Sequence, residues 1–70
     1  MSQKEVYEII KELGGEATYR EIKRRAKEKF PNLTLWQYVT DRLKKLEKKG
    51  YVIKIKRGNE VVWKIVEEYP

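Results

Sequence analysis

A chain of 70 residues with 17 Lys/Arg, 11 Asp/Glu, no cysteine and no histidine has room for one domain, residues 1–70. The composition argues against a disulfide framework, a thiolate or imidazole metal site and histidine acid–base catalysis, so no enzyme activity, metal or cofactor is expected. With no apolar run long enough for a bilayer and no signal-peptide pattern, a soluble, cytoplasmic protein is expected, nucleoid-associated if natural.

The first helix is expected from about Gln3 to Leu13. Ser2 and Glu5 fit a capping box at its start, with a Met1–Val6 staple. Val6, Ile9, Ile10 and Leu13 fall at i, i+3, i+4 and i+7, one apolar face. Gly14-Gly15 ends it, and Glu16-Ala17 can form a very short strand. The second helix is expected from about Tyr19 to Lys29. Thr18 and Glu21 form its box, Ala17 and Ile22 its staple, and Tyr19, Ile22, Ala26 and Phe30 face inward. Pro31 forces the preceding residue out of helical conformation and closes it.

A third box, Thr34 with Gln37, and a Leu33–Tyr38 staple announce the third helix, expected from about Leu35 to Lys49. Leu35, Val39, Leu43 and Leu46 lie within an arc of roughly 80°. Gly50 suits the position just past the helix end. Tyr51–Lys56 and Val61–Val66 are β-branched and partly alternating, and Gly58-Asn59 reads as a hairpin turn with Arg57 facing Glu60. The register is open by one residue. The fold class is therefore α+β: three helices, a short strand between the first two, and a C-terminal hairpin, residues 51–66.

Charge is unevenly placed. Residues 1–33 carry eight cations against six Glu, residues 34–57 eight against two, and residues 58–70 one against three. The excess maps to the third helix and the first hairpin strand. That is the footprint of a polyanion binder, or of a Lys-rich solubilising surface.

Val39-Thr40-Asp41-Arg42-Leu43-Lys44-Lys45-Leu46-Glu47-Lys48-Lys49-Gly50-Tyr51-Val52 resembles the recognition helix and wing entry of winged helix-turn-helix transcription regulators, including MarR-like and archaeal members. Gly15 to Ile22 is similar to their short strand leading into the second helix. The resemblance covers about residues 3 to 66. It implies duplex DNA as partner, with the third helix in the major groove and the hairpin, as the wing, on the adjacent backbone. Base-reading candidates are then Thr34, Gln37, Tyr38, Asp41, Arg42 and Lys45. Gln37 could pair with adenine, and Asp41 could accept from cytosine. Phosphate candidates are Arg20, Lys23, Arg24, Lys44, Lys48, Lys54, Lys56 and Arg57. Asp41 departs from the family, whose members often carry Arg or Lys there. Trp36 and Tyr38 are bulkier than usual.

The three capping boxes and Lys/Glu surfaces also resemble idealised, computationally designed domains, and a hyperthermophile would give a similar, thermostable composition. Each cationic set has a plain structural use as well. Asp41 and Lys45 can pair at i, i+4 on a solvated face, Arg20 to Lys27 can balance Glu21 and Glu28, and the hairpin lysines can guard a sheet edge. Trp63 is expected to pack rather than stack on a base. The alternative function is a protein-interaction module or scaffold using an exposed apolar patch on Ile53, Ile55 and Val62; RNA binding is a third option. A monomer is expected, with a homodimer as alternative, and no membrane or small-molecule partner.

Overall fold

The computed structural model describes residues 2–32 and 37–70 and, for Gln37 and Tyr38, the backbone only. The box at Thr34, the staples from Met1 and Leu33, inward-facing Leu35, and Trp36 lie outside the described residues. The described elements are α1 (Gln3–Glu12), β1 (Glu16–Thr18), α2 (Tyr19–Lys29), α3 (Gln37–Lys48), β2 (Val52–Arg57) and β3 (Glu60–Ile65), a small α+β fold.

Local chemistry sets the element ends. Ser2 Oγ accepts from the Glu5 N–H while the Glu5 carboxylate accepts from the Ser2 N–H, and Thr18 and Glu21 repeat the arrangement at α2. In both boxes the bond from the cap's backbone N–H is the largest cause holding the Glu carboxyl below its usual range. The α1 and α3 ends close alike. Gly14 donates to Lys11 and Gly15 to Ile10, just as Gly50 donates to Glu47 and Tyr51 to Leu46. This is the Schellman pattern, and it requires the positive φ found at Gly14 (97°) and Gly50 (85°).

The sheet has strand order β1-β3-β2, antiparallel throughout, so the last strand is central. β3 pairs Val62 with Thr18 on one side and Ile55 on the other, and Trp63 with Ala17 and Lys54. Arg57 faces Glu60 as expected, leaving the two-residue turn Gly58-Asn59. Gly58 has φ 61° while Asn59, like every described non-glycine residue, has no positive φ, the φ signature of a type II′ turn.

Cross-strand partners share a face, so this register divides the side chains. Ala17, Val52 and Trp63 are buried against the helices. The opposite face carries Glu16, Thr18, Val62, Ile55, Ile53, Lys64, Glu60 and Arg57.

The helices contribute Val6, Tyr7, Ile9, Ile10, Ile22, Ala26, Val39, Leu43 and Leu46 to one cluster. Leu13, Tyr19 and Phe30, expected inward, are half-buried at its margin. Trp63 is buried, as expected. Tyr7 was not expected in the core. Its ring contacts Tyr69 with centroids 5.4 Å apart, Tyr69 contacts Tyr51 at 4.9 Å, and its hydroxyl donates to the Glu67 carbonyl. Val66 and Glu67 donate to the Tyr51 carbonyl, so the C-terminal segment is tied back onto the α3–β2 junction. No described helix is long and apolar enough to cross a membrane.

Candidate nucleic-acid interface

The buried row Val39, Leu43 and Leu46 orients α3. At 3.6 residues per turn, Asp41 and Lys48 then point directly away from the core, with Lys44 and Lys45 beside them. All four are exposed. Among the described residues, none forms an ion pair with Lys44, Lys45, Lys48 or Asp41. The i, i+4 pair of Asp41 with Lys45, available from spacing alone, is not formed. Arg42 stands apart from this face: it is half-buried on the flank. Thr40, on the other flank, donates from its hydroxyl to the Tyr19 hydroxyl at 3.2 Å, tying α3 to the start of α2. Thr34 and the side chains of Gln37 and Tyr38 lie outside the described residues.

On α2, Arg20, Lys23 and Arg24 are exposed. The start of α2 borders a small cavity of about 150 Å³ lined by Thr18, Tyr19, Arg20, Glu60 and Val61. Glu60 sets a carboxylate beside the helix N-terminus, and the Thr18 side chain already uses the Glu21 N–H. Both oppose a phosphate held there. The cations of α2 that face α1 are spoken for. Lys29 Nζ lies 2.9 Å from the Glu12 carboxylate, and Arg25 lies 3.7 Å from Glu12 and 3.6 Å from Glu28. The Lys29 hydrogen bond is the largest cause holding the Glu12 carboxyl below its usual range.

The hairpin register separates the three cations expected at its tip. Lys54 and Lys56 share the Trp63 face, and Lys54 Nζ sits 5.3 Å from the Trp63 ring centroid. That is a cation–π contact with its direct cross-strand partner. Arg57 is on the opposite face, 2.8 Å from Glu16 of β1. The bridge runs diagonally across β3 at the level of Val62, which explains why Val62 is only 6% exposed on a face otherwise open to water. The expected exposed patch of Ile53, Ile55 and Val62 is therefore corrected. Ile53 is exposed, Ile55 is half-buried, and Val62 is covered.

A groove of about 480 Å³ opens between the start of α1 and the end of α3, lined by Gln3, Lys45, Lys48 and Lys49. Lys49 Nζ donates to Gln3 Oε1 at 3.2 Å. Gln3 and Lys49 were not among the sequence candidates. The i, i+3, i+4 spacing of the three lysines was readable, but the approach of Gln3, 46 positions away from Lys49, was not.

Comparison with protein-family models, curated proteins and solved structures finds no significant match to this chain.

Proposed function

We propose that this chain is a small winged-helix domain that binds double-stranded DNA, with α3 in the major groove and the β2–β3 hairpin as a wing on the neighbouring backbone. The order helix, strand, helix, helix, strand, strand supports the reading. The observation that carries it is the outward face of α3, where Lys44, Lys45 and Lys48 are exposed without an ion pair among the described residues. Uncompensated like charges on one helix face cost stability, and a phosphate backbone relieves that cost while releasing counterions. Asp41, at the centre of the face, would accept from cytosine N4 and so bias the sequence read. In this reading the chain is a monomeric binding module rather than an enzyme.

The test is fluorescence anisotropy on a randomised duplex library at about 50 and 200 mM salt, where neutralising roughly six phosphates predicts about a thousandfold loss of affinity. An enriched motif with a steep salt slope supports the proposal. A flat slope, or no binding at low salt, refutes it. Structured RNA serves as competitor, and preferential RNA binding by the same lysines would replace duplex DNA as the partner. A second reading, a protein-interaction module of the same fold, is favoured by Asp41. The covering of Val62 weakens it, because that interrupts the apolar surface such a partner would need.

A further inference from the structure

The groove between α1 and α3 has a composition that packing does not explain. Lys48 and Lys49 stand three and four positions after Lys45, so each is its neighbour on the helix surface and their ammonium groups repel that of Lys45. Gln3 lines the groove with them, and among the described residues no carboxylate does. Lys49 donates to a neutral amide, which leaves its charge uncompensated, and Gln3 retains its amide NH₂ as a donor. On the other side of α1, the chain meets a comparable cation, Lys29, with the Glu12 carboxylate. Three ammonium groups and an amide donor around an open groove of about 480 Å³ match an anion carrying several charges close together.

We propose that this groove binds adjacent phosphate groups, as in a linear polyphosphate, a nucleoside triphosphate or consecutive phosphates of a nucleic-acid backbone. The site shares Lys45 and Lys48 with the outward face of α3, but Gln3 and Lys49 lie outside that face, so anion binding here does not require α3 to read bases. Phosphate oxygens would sit between Lys48 and Lys49 and receive the Gln3 amide, with Lys45 closing the ring of donors.

The test is a titration of the full chain with inorganic triphosphate at low salt, followed by calorimetry and by amide and lysine NMR shifts. A saturable one-to-one complex is expected, with shifts confined to Gln3 and the segment 45–49. Lys49→Ala should weaken it by roughly tenfold, as loss of a charge-assisted donor does. Gln3→Glu is the sharper variant. It gives Lys49 a carboxylate and places an acid at a helix N-terminus, so the fold should melt no lower than the parent while triphosphate affinity falls, again by about tenfold. Lys11→Ala, on the same helix but outside the groove, should bind as the parent does. Shifts spread evenly over lysines of every element, or parental affinity in Gln3→Glu, would overturn the proposal. A duplex arm identifies the source. Competition between triphosphate and duplex, both weakened by Lys49→Ala, makes it a backbone site. Triphosphate binding unaffected by duplex makes it a site for a free polyphosphate.

Discussion

Helix α1 has two seams, and they treat the same chemistry in opposite ways. Toward α2 it offers Glu12, which collects Lys29 at 2.9 Å and Arg25 at 3.7 Å. Toward α3 it offers Gln3, which collects only Lys49 and leaves the neighbouring lysines as they are. In the first seam positive charge is absorbed into the fold. In the second it stays at the surface, exposed to solvent and counterions. One carboxylate against one amide separates lysines paired within the fold from lysines left without an ion pair among the described residues, so the local charge count of a helix says little until its neighbours are known.

The largest effect should come from removing what presents the second seam. Leu43 is fully buried and holds α3 against the core, so Leu43→Ala should cost about 2–5 kcal/mol in denaturant unfolding. A loss well under 1 kcal/mol would mean that α3 is not anchored as described. Next, replacing Lys44, Lys45 and Lys48 together by alanine should lower the logarithmic salt slope of duplex binding by roughly two to three. Arg25→Ala and Lys29→Ala, on the neutralised seam, should leave that slope nearly unchanged. If both sets lower it equally, the contrast between the seams has no functional meaning.

A smaller effect tests the caps. Thr18→Ala should destabilise by about 1 kcal/mol, because the Glu21 N–H loses its acceptor. The cap backbone N–H groups hold the Glu5 and Glu21 carboxyls, and the Lys29 hydrogen bond holds that of Glu12, below the usual glutamate range. A lowered carboxylate adds stability that is complete above its unfolded value and is lost as pH falls through the folded one. Melting temperature should therefore be level above about pH 4.5 and decline below it. A melting temperature that rises on acidification would contradict these bonds. The smallest effect is expected for Glu12→Gln, which makes the first seam resemble the second. A slight, salt-sensitive drop in melting temperature should accompany new triphosphate-induced shifts near Arg25 and Lys29. Their absence would show that an uncompensated seam is not sufficient for anion binding.

The caps, stops and hairpin turn were legible because each is a contact between residues close in sequence. Ser2 with Glu5, Thr18 with Glu21, Gly50 after Lys49 and Gly58-Asn59 between the strands depend only on local geometry. The outward position of Asp41, Lys44, Lys45 and Lys48 was legible for the same reason, since a helix repeat fixes which residues oppose Val39, Leu43 and Leu46. The hairpin cations were read less well. Lys54, Lys56 and Arg57 fall within four positions, yet strand alternation and a one-residue question of register decide their faces, and only the pairing of Trp63 with Lys54 answers it.

By itself, then, the sequence determined three amphipathic helices, the ends of the first two and the stop of the third, a short strand, a tight hairpin and a cationic outer face on the third helix. All follow from propensity, periodicity and contacts within a few residues. Tertiary structure alone decided which cations remain available. It brought Glu12 to Lys29 across 17 positions, Glu16 to Arg57 across 41, and Gln3 to Lys49 across 46. The reason is that an ion pair or a groove is a property of two surfaces in contact. Which surfaces meet is set by packing of the shared apolar core, not by the charges themselves.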